Sequence, residues 1–190
     1  MPSNESPIPS APGKHTPASS SSIPPWVSPH LPSLLRVEHG PNYTSRALSL
    51  VDLPPGALFA RITSPTAAKK AYTSVQAGRD LHIELNSDLV FINHSCKPKL
   101  VFDMRRWEVR VAGGGEGIRV GDELTFFYPS TEWEMDRGFE CRCGEVCCRG
   151  WIRGAREMEE SVLEGYWLSG HVGELLGERK LLIHLDDIQP

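Results

Sequence analysis

No apolar run in this chain of 190 residues reaches the roughly 18 that a membrane span requires. No apolar h-region of a signal peptide stands at the start, which is rich in Ser and Pro. Charge of one sign is lacking too: 20 basic against 24 acidic residues leave a formal net charge of -4, and nothing in that balance advertises a membrane surface or direct nucleic-acid binding. No internal repeat is found, which argues against a solenoid or propeller. The length suits about one domain with one sizeable core. Cysteine is scarce: there are five, and four of them crowd between Cys141 and Cys148. An odd, clustered set fits a disulfide framework badly and a metal site in a reducing compartment well. A soluble intracellular protein is the expectation, with nucleus and cytoplasm not distinguished.

Residues 1–33 are mostly Pro, Ser and small polar residues, including the run Ser19 to Ser22. Such a segment buries too little to offset its ordering entropy and reads as a disordered tail. From Leu34 the texture becomes short apolar runs broken by Gly and Pro. Strand-length runs are Leu34 to Val37, Ala47 to Val51, Ala57 to Ile62, His82 to Leu85, Leu100 to Met104, Trp107 to Val111 and Glu123 to Tyr128. Arg105-Arg106 reads as a hairpin turn and Gly113-Gly114-Gly115 as a flexible loop. Thr66 to Tyr72 and Ser87 to Ile92 read as brief helical turns. After Gly154, Ala155 to Glu164 and Val172 to Leu182 carry helix formers or near-helical apolar spacing, interrupted by Gly165, Gly170, Gly173 and Gly177. The expectation is a mainly β body carrying one or two short C-terminal helices.

Cys141-Arg-Cys143-Gly-Glu-Val-Cys147-Cys148-Arg-Gly150 sets thiols too close for ordinary core packing. Zinc accounts for them, with thiolates at tetrahedral vertices and Gly144 letting the backbone fold around the metal. Three close ligands need a fourth. Cys96 is the only cysteine elsewhere, and its use would fasten two distant segments of chain. Cys147 would instead give a local four-cysteine site, with adjacent ligands in awkward geometry. Reduced thiols without metal are the plain alternative.

Two separated blocks and the cysteine loop, in this order, resemble the SET-domain methyltransferases. Phe91-Ile92-Asn93-His94-Ser95-Cys96-Lys97-Pro98 is similar to the asparagine-histidine signature of that family. Gly121-Asp122-Glu123-Leu124-Thr125-Phe126-Phe127-Tyr128 resembles its terminal strand motif, and Cys141-x-Cys143-x4-Cys148-Arg149-Gly150 its post-SET zinc loop. The resemblance implies small twisted sheets in which the C-terminal segment threads past the asparagine-histidine strand in a knot-like crossing. The implied organisation is a SET domain over 34–130, a post-SET zinc-binding region over 131–154 and a C-terminal helical extension over 155–190.

What the resemblance implies for function is S-adenosylmethionine-dependent methylation of protein lysine. Asn93, His94, Ala57, Phe59 and Tyr128 would contact the cofactor, Tyr128 would be catalytic in the lysine channel, and Cys96, Cys141, Cys143 and Cys148 would bind Zn2+. Those residue types suit the chemistry. Methyl transfer from a sulfonium to an amine is an in-line displacement, so a neutral amine must be held opposite the leaving sulfur. A tyrosine hydroxyl orients the two, and apolar walls such as Phe126 favour the uncharged amine. In the family, phenylalanine rather than tyrosine at the position of Phe126 leaves room for higher methylation.

The chain departs from the pattern in four places. Pro55 and Ala57 stand where the family has two cofactor-loop glycines, Lys99 where it usually has asparagine, and Phe127 where many relatives have aspartate. Only about 30 residues separate Ala60 from Asn93, which implies a shallow or differently built substrate site. The altered glycine loop and the short stretch favour the alternative function, a catalytically weak or inactive SET-derived binding or scaffold module, whereas Asn93-His94 and Tyr128 favour the enzyme. Trp133 and Phe139 either close over the cofactor or pack the link to the zinc loop, and Trp151 is a further aromatic candidate near the substrate channel.

Overall fold

The structure, a computed structural model, describes residues 31–41 and 44–186. The expected tail therefore lies outside the described residues up to position 30. Along the chain run α1 (Leu31–Leu34), β1 (Leu35–Glu38), β2 (Arg46–Ser49), β3 (Leu58–Arg61), β4 (Thr66–Ala68), β5 (Val75–Gln76) and β6 (His82–Glu84). Then come β7 (Asn93–His94), β8 (Leu100–Asp103), β9 (Glu108–Val111), β10 (Thr125–Phe126), β11 (Phe139–Glu140), β12 (Trp151–Ile152), α2 (Glu160–Leu163) and α3 (Gly170–Asp186). Four small sheets result, with strand orders β1-β2, β3-β9-β8-β10-β7, β4-β6-β5 and β11-β12. The mainly β expectation holds.

The five-stranded sheet places the motifs. Its β8 and β9 form the hairpin expected at Arg105-Arg106, closed by Asp103, which accepts the Arg106 N–H, and Trp107 turns the corner at a positive φ of 55°. The terminal strand β10 then enters between two strands already formed. It pairs in parallel with β7, Thr125 opposite Asn93 and Phe126 opposite His94, and in parallel with β8 through Phe126 and Leu100. Ser95 to Lys99 join the strands on either side, and the N–H groups of Ser95 and Lys99 donate to the carbonyls of Phe126 and Thr125. Asn93 and Thr125, far apart in sequence, are thereby locked side by side, which is the expected threading.

Phe59, Phe102, Leu89, Ile92, Leu100, Met104, Ile118 and Leu124 fill the main core and are almost wholly buried. Leu31 and Leu34 of α1 pack against it, so the ordered body begins before Leu34, and Leu34 belongs to a helical turn rather than to a strand. A second apolar cluster joins Phe127, Ala155, Leu163, Val172 and Leu176, with Trp133 and Tyr166 against it. Trp133 thus packs the C-terminal extension.

Three local expectations fail. Thr66 to Tyr72 is not helical, because Thr66, Ala67 and Ala68 are taken into β4 by pairing with β6; tertiary pairing overrides the helix propensity of alanine. Glu123 to Tyr128 is not one continuous strand: Glu123 makes an isolated bridge to Leu48, and Tyr128 opens a 3-10 turn with Pro129. The glycines do not shorten the last helix, which spans 17 residues through Gly173 and Gly177. Burial of Val172 and Leu176 and the capture of the Ala155, Arg156 and Met158 carbonyls by Arg179 offset a cost of about 1 kcal/mol per glycine.

Candidate active site and metal centre

Between the small sheet β4-β6-β5, the end of β10 and the turn before β11 lies a cavity of about 430 Å³. That is within the roughly 300–1,000 Å³ of ordinary ligand sites. The short stretch between Ala60 and Asn93 still builds a wall, Ala71 to Val75 together with Leu85, Leu89 and Val90. Asn93, Phe126, Tyr128 and Phe139 form the opposite side, and Asp136 and Arg137 also line the space. Of the two expectations, a shallow or a differently built site, the lining fits the second, with residues of the short stretch itself bounding the space.

Tyr128 is the centre of an aromatic group. Its ring lies 4.7 Å from that of Phe126, 5.3 Å from that of His94 and 6.0 Å from that of Phe139. The hydroxyl donates a long bond of 3.4 Å to the Ile92 carbonyl, and burial pushes its pKa well above the ordinary phenol range. The phenol is therefore protonated at neutral pH and available to orient a ligand. Aromatic faces of this kind also favour a cation or a methylated amine over water.

Asn93 lines the same cavity, and its Nδ2 donates to the Ser45 carbonyl at 2.9 Å. His94, next along β7, points to the other side. Its Nδ1 accepts the Tyr128 N–H at 3.2 Å, so Nε2 carries the proton and meets Cys96 Sγ at 3.4 Å. Burial lowers the imidazole pKa to about 4, which keeps it neutral. His94 stands behind the cavity and joins it to the cysteines.

Cys96, Cys141, Cys143 and Cys148 bring their sulfur atoms within 4.8 Å of one another. A tetrahedron with Zn–S bonds of about 2.3 Å has edges of about 3.8 Å, and Cys96 Sγ lies 3.8 Å from Cys141 Sγ. Burial raises the thiol pKa of both Cys96 and Cys141, so thiolates there need a bound cation, which zinc would supply. The donor set and its spacing fit zinc. Cys147 stands outside that set, exposed, with its thiol 3.5 Å from the Cys96 carbonyl.

Besides His94, two more of the expected cofactor residues do not line this cavity. The Phe59 side chain is 1% exposed in the main core, and Ala57 packs against the same core with its carbonyl taking the Val111 N–H; neither lines the cavity. Phe59 and its neighbour Ala60 are both buried where the β3 register shifts against β9, so the Phe59 ring is spent on the core. Phe127 is turned away from Tyr128 and stacks on Tyr166, centroids 3.7 Å apart, while the Tyr166 hydroxyl donates to the Cys96 carbonyl at 2.8 Å. At the position where the resemblance led to aspartate being expected, Phe127 is an apolar anchor for the C-terminal segment. Trp151 is 54% exposed and does not line the cavity.

Sequence reasoning missed Glu132, which lines the cavity and is buried. Its signal was an acid four positions after the motif tyrosine, beside a tryptophan in a segment otherwise read for its aromatics. Phe139 was considered, and its edge meets His94 at 5.5 Å while it also lines the cavity.

No family model matches the chain. Among curated proteins, a methyltransferase of Aspergillus flavus, flvH, is 53% identical over 163 residues, 85% of this chain and 91% of that protein. The histone-lysine N-methyltransferase ash1 of Drosophila melanogaster is 36% identical over 100 residues, 47% of this chain and 4% of that much longer protein. A Schizosaccharomyces pombe histone-lysine N-methyltransferase, H3 lysine-36 specific, is 34% identical over 79 residues, 36% of this chain and 9% of that protein. With a relative that matches almost end to end and the threaded motifs in place, the chain belongs to the SET-domain family of methyltransferases.

Proposed function

We propose that the protein transfers the methyl group of S-adenosylmethionine to the side-chain amine of a lysine in a protein substrate, inside the cell. The observation that carries this reading is the convergence of Asn93, Phe126 and Tyr128 on one cavity walled by aromatic rings. Parts of this chain are also similar to proteins named as histone-lysine methyltransferases.

When bound, the cofactor would supply an electrophilic methyl group on a sulfonium. Asn93 is placed to offer polar contacts to it, and His94 holds the Tyr128 backbone in position through Nδ1. The Tyr128 hydroxyl orients the amine, and Phe126 and Phe139 exclude water from the cavity. Cys96, Cys141, Cys143 and Cys148 would hold Zn2+ with a structural role, tying the loop after β7 to the segment after β11.

The test is incubation of purified protein with cell lysate and S-adenosylmethionine carrying a radiolabelled methyl group. Label recovered as methyl-lysine after hydrolysis supports the reading. Absence of transfer to any protein, with the cofactor bound, overturns it in favour of a scaffold.

A further inference from the structure

Glu132 is a buried acid that makes no ion pair among the described residues. The turn that begins at Tyr128 returns on itself, so that the Glu132 N–H donates to the Tyr128 carbonyl at 3.0 Å. The side chain lines the same cavity and is 8% exposed. Its Oε1 accepts the Gln76 N–H at 2.7 Å and the Thr131 hydroxyl at 3.2 Å. Both bonds end on Oε1, which leaves Oε2 for whatever enters the cavity.

The one cation within electrostatic reach among the described residues is Lys70, which favours the carboxylate only weakly against the effect of burial. Lys70 pairs instead with Glu134 at 3.2 Å, Arg156 also pairs with Glu134, and Arg137 lies over the ring of Tyr72 at 5.2 Å. Asp136, which also lines the cavity, adds negative charge. On the far side, His171 Nε2 meets the Thr131 carbonyl at 2.7 Å, and His82 lies within electrostatic reach of His171 and Lys70. A buried carboxylate facing aromatic rings across an apolar space is complementary to an organic cation.

We propose that Glu132 receives the substrate ammonium in this cavity and takes its proton before methyl transfer. The assignment rests on the methyltransferase reading for its second half. In the step, R–NH3+ gives a proton to the carboxylate, leaving R–NH2 and a carboxylic acid. The nitrogen lone pair forms the N–C bond as the C–S bond breaks, the electron pair of that bond staying on sulfur and cancelling its charge. Product leaves as a secondary ammonium, and Glu132 returns its proton to water, so one proton is released per methyl transferred. Burial raises the Glu132 pKa to about 7, which suits a base that must both take and release a proton near neutrality.

The experiment uses Glu132→Gln, which keeps the Oε1 acceptor for Gln76 and Thr131 but removes the charge. Calorimetry at pH 8 compares n-butylammonium, a mimic of the lysine side chain, with neutral 1-butanol. Wild type should prefer the ammonium at least about tenfold, and Glu132→Gln should lose that preference; an unchanged preference overturns the cation site. In methyl transfer, kcat/KM of Glu132→Gln should fall about 30-fold at pH 7.5 and recover to within about threefold at pH 10, where about a quarter to a third of the amine arrives already neutral. A deficit equal at both pH values, or none, overturns the proton role and leaves a structural tie. Glu132-dependent ammonium binding by a protein that transfers no methyl group would uphold the cation site and overturn the methyltransferase reading. If Glu132→Gln does not fold, wild type decides alone: its affinity for n-butylammonium must drop at least about tenfold from pH 8 to pH 5.5, and a flat profile overturns the proposal.

Discussion

The backbone N–H of Tyr128 donates to Nδ1 of His94 at 3.2 Å, so a ring on β7 fixes the start of the turn that leaves β10. The same ring, through Nε2, lies 3.4 Å from Cys96 Sγ. One half-buried imidazole therefore couples the position of Tyr128 to the cysteine cluster, which supports the cavity from behind.

That coupling predicts how metal loss should act. Purified protein should carry about one zinc. Cys96→Ser should release it and lower the Tm, whereas Cys147→Ser should retain it, because only the former removes a member of the four-sulfur set. Metal analysis by mass spectrometry checks both, and full zinc in Cys96→Ser would refute the assignment of the distant ligand.

Gly154 offers a test of packing. A Cβ there would meet the Trp133 carbonyl oxygen at 2.4 Å and Glu134 Cα at 2.7 Å, both backbone atoms that cannot swing aside. Gly154→Ala should therefore lose about 1–3 kcal/mol of stability by loosening the seam between Trp133-Glu134 and Gly154. Urea denaturation measures it, and a change below about 0.5 kcal/mol would mean that the seam yields freely.

Burial of Glu132 should be visible in stability as well as in chemistry. Its folded pKa of about 7 lies above the ordinary 4.5, so the folded state holds the proton more tightly, and stability falls as pH rises from about 4.5 through 7. The full difference corresponds to roughly 3 kcal/mol at pH 8. Glu132→Gln should therefore be more stable than wild type at pH 8 and nearly equal to it at pH 4, as followed by thermal denaturation across that range. A difference independent of pH would show that no carboxylate is held under strain there.

The sequence made the sheet-forming runs, the threading motifs and the cysteine set legible because each is a local pattern of residue types: apolar runs bounded by turn residues, Asn93-His94, Tyr128 and closely spaced thiols. Partners chosen across the chain were not legible. Thr66 to Ala68 became β4 because β6 was there to pair with, and the last helix ran through its glycines because Val172 and Leu176 had a second apolar cluster to enter. Phe127 looked like a lost polar contact, yet it is the surface on which Tyr166 stacks. Ala57 and Phe59 were assigned by motif position, and the burial of the Phe59 ring could be seen only once β3 lay against β9. Glu132 escaped notice because a single acid carries no pattern until the fold strips it of water.

The central claim is that this cavity performs methyl transfer with Tyr128 at its heart. The most direct measurement is single-turnover transfer of a labelled methyl group to a substrate identified in lysate, for wild type and Tyr128→Phe side by side. Tyr128→Phe keeps the ring and its contacts with Phe126 and His94 but loses the hydroxyl, so the rate should fall by about 100-fold or more while Tm and cofactor affinity change little. Equal rates for the two proteins would contradict the account.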